Sequence, residues 1–99
     1  MLYLDNAATT SVRKEALEAM WPYLTGAFGN PSSPHEVGRL ASAGLEDARA
    51  RVARIIGGRP TQVTFTSGGS EANNLAIKGA CLANPRGRHL ITTPIEHDS

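Results

Sequence analysis

His97 and the run Ser67-Gly68-Gly69-Ser70 are the residues whose types and spacing suit chemistry. The run follows Val63-Thr64-Phe65-Thr66, where β-branched and aromatic residues alternate as in a short buried strand. A pattern of good helix formers opens at Glu71. A strand that ends in a glycine turn and opens a helix leaves backbone N–H groups at the positive end of the helix dipole. That arrangement binds anions, phosphate above all. Gly68 and Gly69 let the backbone approach a ligand closely, and Ser70 adds a hydroxyl donor. The same turn also occurs in α/β proteins that hold no ligand, so on these residues alone both readings stand. No Gly-Lys-Ser/Thr precedes the helix and no Gly-x-Gly-x-x-Gly is present, which excludes the familiar nucleotide fingerprints. An anion held here would be a small monophosphate group.

His97 lies between Glu96 and Asp98, just past a second predicted strand, and is the best catalytic candidate. A lone histidine is more often structural or simply exposed. His35 in a helix first turn and His89 at a strand start both have structural explanations. The histidines lack metal spacing, and with one cysteine a zinc site is not expected. Cys81, among Ala80, Leu82 and Ala83 in a helix, reads as a small buried packing residue rather than a nucleophile. Lys78 sits two turns past the glycine run and reads as solvent-facing rather than as a Schiff-base lysine.

The elements that must position these groups follow from the pattern. Leu2-Tyr3-Leu4 is a short apolar piece, and Asp5 to Thr10 is a loop of small and polar residues. Ser11 can cap a helix running to about Leu24, with Pro22 predicting a kink or an early end near Trp21. Gly26 to Pro34 reads as an ordered loop. Ser33 with Glu36 forms a capping box, with Pro34 at the first helical position. Val37, Leu40, Ala41, Leu45, Ala48, Val52, Ile55 and Ile56 then line one face of a long amphipathic helix. Gly57-Gly58 stops it and Pro60 prevents a restart.

A helix from about Ser70 to Ala83 carries Ala72, Ala76, Gly79, Ala80 and Ala83 on one stripe, which predicts close packing. Asn84-Pro85-Arg86-Gly87 is a turn, and His89 to Thr93 is a second strand. Strand, helix and strand make a βαβ unit with parallel strands. Ligands gather at the carboxyl ends of such strands, so Ser67–Ser70 and Ile95–His97 are expected to share one site. Two strands bury too little to fold alone. The 99 residues therefore read as the front of a larger α/β domain.

Composition bounds the function. A hydrophobic fraction of 40% and a net charge of +1 are those of an ordinary soluble chain, with no basic patch for nucleic acid. Arg49, Arg51 and Arg54 form a positive stripe, but Glu46 and Asp47 beside it make a solvated helix face. No apolar run approaches a membrane span, no signal peptide follows Met1, and the lone cysteine fits a reducing cytoplasm.

Together, Tyr3-Leu4-Asp5-Asn6-Ala7-Ala8-Thr9-Thr10, Gly29-Asn30-Pro31-Ser32-Ser33-Pro34-His35, the Phe65–Gly79 stretch and Glu96-His97 resemble the cysteine desulfurases. These are pyridoxal-phosphate enzymes of the class V aminotransferase group. The order and spacing of the motifs agree along this chain, which covers only the front part of the family's usual length. The resemblance implies a fold type I large domain, α/β/α with a mostly parallel sheet, incomplete here. Residues 15–99 would begin that domain, and residues 1–14 would pack with the small C-terminal domain.

The resemblance also implies that Gly69 and Ser70 hold the phosphate of pyridoxal 5'-phosphate and that His97 stacks on its ring and helps move protons. The family more often has Ala-Thr where Gly69-Ser70 stands, which keeps a hydroxyl but adds flexibility. Asn6 and Ala8 are implied on the substrate side, and Gly29–Ser33 near a homodimer interface. The implied reaction converts L-cysteine to L-alanine and passes sulfur as a persulfide to an acceptor protein, for iron–sulfur clusters or nucleic-acid thiolation. The Schiff-base lysine, the aspartate at the pyridine nitrogen and the nucleophilic cysteine belong further along the family's chain, so this piece is expected to be inactive. Selenocysteine lyases and other class V aminotransferases share the resemblance. A non-enzymatic anion-binding or interaction module is the reading from another class.

Overall fold

Apolar and charged residues recurring at helical spacing build the longest element, α2 (Glu36–Ile55), in a computed structural model that describes residues 1–83 and 87–99. It follows α1 (Lys14–Thr25) and precedes a 3₁₀ turn (Pro60–Gln62) and α3 (Gly69–Ala83). The chain divides into two units, Met1–Val63 and Thr64–Ser99. Most of the turn expected at Asn84 to Gly87 lies outside the described residues.

In the first unit, the cap of α2 differs from the expected Ser33–Glu36 box. His35 is the N-cap, extended at φ −86° and ψ 171°, and its Nδ1 accepts the Gly38 N–H at 3.3 Å. Ser33 is committed to an earlier turn. Its N–H donates to the Asn30 carbonyl at 2.9 Å, and the Ser32 N–H donates to Asn30 Oδ1 at 2.9 Å. The cap therefore moves on to His35, and Pro34 falls just ahead of the helix rather than inside it. A Cβ on Gly38 would lie 2.8 Å from the Asn30 carbonyl oxygen and closer still to that of Ser33, so only glycine lets this turn meet the helix.

The other end stops as the sequence predicts. Gly57 takes φ +70°, its N–H donates to Arg54 O at 3.3 Å, and the Gly58 N–H donates to Ala53 O at 2.8 Å. That pair of bonds is a Schellman motif, which satisfies carbonyls the helix leaves unpaired. The chain then returns along α2 through the 3₁₀ turn, and Arg49 Nη1 donates to the Val63 carbonyl. Arg51 pairs with Asp47 (2.7 Å) on the expected solvated face, whereas Arg49, which pairs with Glu46 (3.2 Å), is half-buried rather than solvated.

Two expectations for the first helix are corrected. Ser11 does not cap α1; Arg13 is the N-cap and makes no side-chain cap bond. Nor does Pro22 end the helix, which runs on to Thr25. Proline's missing N–H removes only one bond late in the helix. Beyond it the turn is rebuilt, with Thr25 Oγ1 donating to Trp21 O at 2.9 Å and the Gly26 and Ala27 N–H groups donating to Pro22 O at 2.9 and 2.7 Å. The Tyr23 ring lies over Gly44 and brings α1 against α2.

Burial is slight. Among the described residues the buried hydrophobics are Ala41 (7% exposed) and Ala53 (1%), while Ile55 on the predicted apolar face is 84% exposed. In the second unit α3 matches its predicted span but has no buried residue, so its small-residue stripe stands uncovered. The expected strands at 63–66 and 89–93 do not form, and among the described residues there is no strand. Val63 does take extended angles, φ −103° and ψ 124°. A strand needs a neighbouring strand to share its N–H and C=O groups, and among the described residues no ladder is formed, so the mostly parallel sheet and the βαβ unit are not seen.

Candidate functional site

The opening of α3 is built by hydroxyl and carboxylate side chains around its glycines. Thr66 Oγ1 donates to the Gly68 carbonyl at 3.1 Å, and that carbonyl accepts the first helical bond, from Ala72 N–H, also at 3.1 Å. The N–H groups of Gly69 and Ser70 lie ahead of that bond, at the positive end of the helix. A Cβ built on Gly68 or Gly69 would meet nothing within 4 Å, so space for a ligand stands in front of this backbone.

Ser67 is not part of that opening. Its N–H and its hydroxyl both donate to Glu71 Oε2, at 2.8 and 2.6 Å. The hydroxyl bond, then the backbone bond, holds the Glu71 carboxyl below its ordinary value of 4.5 against a small opposing effect of burial. The donors that face an anion at this end of the helix include the backbone N–H groups of Gly69 and Ser70, and the Ser70 hydroxyl adds a side-chain donor.

His97 is tied to the same helix through Ser99. Asn74 Nδ2 donates to Ser70 O at 2.8 Å and to Ser99 O at 3.0 Å. Asn73 Nδ2 donates to Ser99 Oγ at 2.8 Å, and Ser99 Oγ lies 3.1 Å from His97 Nδ1. The Ser99 N–H donates to the same Nδ1 at 3.1 Å. Nearby, Thr93 Oγ1 donates to Glu96 Oε1 at 2.9 Å, which ties Glu96 to its own turn. Ser70 and His97 are thus linked by hydrogen bonds through Asn74 and Ser99. Sequence reasoning passed over Asn73, Asn74 and Ser99. The signal was present, because asparagine is a poor helix-interior residue and two in succession call for a reason.

Asn6 and Ala8 belong to the first unit, whereas Gly69, Ser70 and His97 belong to the second. The Asn6–Ala8 loop is a turn in which Ala8 N–H donates to Asp5 O at 3.0 Å. The Tyr3 hydroxyl closes it, 2.8 Å from Asp5 O and 3.0 Å from Thr9 O. Lys78 is exposed, as expected. Cys81 is exposed too, which corrects its reading as a buried packing residue: it lies on α3, where nothing is buried. Between α1 and α2 runs a groove of about 590 Å³ lined by Met20, Tyr23, Leu24, Ala41 and Leu45. Its charged rim residues are already engaged, Arg51 with Asp47, so it is a packing surface rather than a polar site. Among the described residues no His, Cys, Asp or Glu group could hold a metal ion, and no helix is long and apolar enough to cross a membrane.

Comparison with known proteins decides the family. The aminotransferase class-V family model matches residues 2–99. The chain belongs to that family. This aminotransferase class-V chain is 50% identical over 97 residues to the cysteine desulfurase IscS of Dictyoglomus turgidum, a match covering 97% of the chain and 25% of that relative. The cysteine desulfurase IscS of Methanosarcina thermophila is also 50% identical over 97 residues, covering 97% of the chain and 24% of the relative. That of Neisseria gonorrhoeae is 50% identical over 98 residues, with 97% and 24% covered. The resemblance read from the motifs is borne out. No solved structure matches the chain. It spans about a quarter of the length of the curated relatives it matches.

Proposed function

We propose that this chain is the N-terminal portion of a cysteine desulfurase, which converts L-cysteine to L-alanine and passes the sulfur as a persulfide to an acceptor protein. The observation that carries the reading is half-identity, along 97 residues, to relatives that bear that name. The residues that complete the chemistry belong to the rest of the polypeptide, so the 99-residue piece by itself is inactive. The whole protein works as a homodimer in the cytoplasm. It shares the fold type I architecture, with residues 15–99 opening the large domain, its mostly parallel sheet included, and residues 1–14 packing with the small one.

The cofactor is pyridoxal 5'-phosphate, and the opening of α3 fits its phosphate. Two glycines with open space before them, the backbone N–H groups that precede the first helical bond, those of Gly69 and Ser70 among them, and one hydroxyl form a donor set for a small dianion. Gly69 and Ser70 hold the phosphate, and the helix dipole adds about 0.3–1 kcal/mol. Bound there, the cofactor supplies an electron sink for the bonds broken at the amino acid. His97, tethered to the same helix, lies against the ring and holds or moves a proton at an imidazole nitrogen. Asn6 and Ala8 face the substrate. Ser67 keeps the Glu71 carboxylate occupied, which tempers the repulsion between that charge and the phosphate.

The test is spectroscopic. The full-length polypeptide, titrated with pyridoxal 5'-phosphate, is expected to develop an absorption band distinct from the free cofactor and to release alanine from L-cysteine. A titration that reaches saturating cofactor with no new band overturns the reading. A band with alanine released only from selenocysteine moves the protein to a neighbouring member of the family.

A further inference from the structure

We infer that Asn73 and Ser99 are positioning residues that fix His97 as a single tautomer, with its ring proton on Nε2. The inference rests on hydrogen-bond direction. A backbone N–H can only donate, and that of Ser99 points at His97 Nδ1 from 3.1 Å, so Nδ1 must accept. The Ser99 hydroxyl also lies 3.1 Å from Nδ1. Its oxygen accepts from Asn73 Nδ2 at 2.8 Å, and because Nδ1 already accepts from the Ser99 N–H and so carries no hydrogen, the hydroxyl can meet it only as a donor. The Ser99 backbone and hydroxyl thus both face Nδ1 as donors, and Asn73 holds the hydroxyl in place by donating to its oxygen.

Asn74 fixes the other end of this arrangement. Its amide hydrogens go to Ser70 O and Ser99 O, which anchors Ser99 against the turn of α3 that carries Ser70. The neutral ring then has one place for its proton, Nε2, on the side away from Ser99. The catalytic meaning of this rests on the desulfurase reading, in which His97 meets the cofactor. A histidine that must give or take a proton at one nitrogen gains from having the other pinned, because the wrong tautomer presents a lone pair where a hydrogen is needed. Asn73 and Ser99 touch neither substrate nor cofactor in this account; they act through His97.

Histidine-labelled full-length polypeptide, free of cofactor, provides the test through ¹⁵N NMR of its imidazole nitrogens. His97 Nδ1 is expected to resonate as an unprotonated acceptor and Nε2 as a protonated nitrogen. Ser99→Ala removes the hydroxyl donor, and the ratio of the two tautomers is expected to fall about tenfold, as the loss of one hydrogen bond requires. Ser99→Thr should restore it, and Asn73→Leu should shift it in the same direction as Ser99→Ala. A proton on Nδ1 in the unsubstituted protein, or a ratio unmoved by Ser99→Ala, overturns the inference. Should the Ser99→Ala protein fail to fold, the spectrum of the unsubstituted protein and that of Ser99→Thr still decide. The expected tautomer in a polypeptide that binds no pyridoxal 5'-phosphate supports the positioning and overturns the desulfurase reading alone.

Discussion

A carboxylate in the first turn of a helix ordinarily serves the helix dipole, but Glu71 is asked to do more. It takes both donors of Ser67, and those bonds hold its carboxyl below the ordinary value. The sign of the linkage follows. A carboxyl whose folded value is depressed stabilises the fold above the unfolded value and loses that contribution as pH falls through the folded one. The start of α3 is therefore expected to loosen on the acid side of the ordinary carboxylate range. The measurement is a carboxyl ¹³C titration of Glu71 in the full-length polypeptide, with amide exchange at Ala72 as the structural readout. Ser67→Ala removes the larger of the two bonds and should move the Glu71 midpoint up, while the backbone donor keeps it short of full recovery. A midpoint unchanged by Ser67→Ala would show that the two side chains do not meet.

Elements were legible where periodicity speaks and illegible where capping decides. The apolar spacing from Val37 to Ile56 predicted α2, and Gly57-Gly58 predicted its stop, because a glycine past the last turn can take the positive φ seen at Gly57. Gly57→Ala is expected to destabilise the full-length protein by about 1–2 kcal/mol, the cost of a Cβ in the left-handed region. Urea denaturation measures it, and a neutral or stabilising result would mean that this residue lies elsewhere in φ. The start of α2 was misread because Ser33 and Glu36 satisfied a sequence rule while the backbone of Ser33 was already bonded to Asn30. His35 caps instead, through a ring nitrogen that the usual capping alphabet omits. His35→Ala is expected to cost about 1 kcal/mol, as the loss of a cap does, and His35→Asn to recover most of it in the same denaturation series. Pro22 misled in the opposite sense: the ring was given the power to end α1, and the bonds on either side of it carried the helix on to Thr25.

At the scale of the whole molecule, the sheet is the part that could not be read from these residues. Alternation at 63–66 and 89–93 reports a tendency to extend, but a ladder is a property of pairs of segments, and among the described residues no strand is formed. The same deficit governs stability. Ordering a residue costs about 1–2 kcal/mol in backbone entropy. Against that, the buried hydrophobics among the described residues are two small side chains, Ala41 and Ala53, while Trp21 is 61% and Phe28 71% exposed. Apolar burial on that scale cannot offset the ordering of 99 residues, so the faces of α2 and α3 need the rest of the polypeptide against them. The chain expressed alone is therefore expected to show a broad, non-cooperative melt and amide exchange close to that of an unfolded peptide, with residual protection confined to α2. Joined to the remaining polypeptide, α2 and α3 should become strongly protected. The self-sufficient binding module, the reading from outside the enzyme class, requires the reverse: one sharp transition from the 99-residue chain, with protection spread through both units. Hydrogen exchange on the two forms separates these outcomes, and a cooperative melt of the short chain would mean that its exposed apolar faces find partners among themselves.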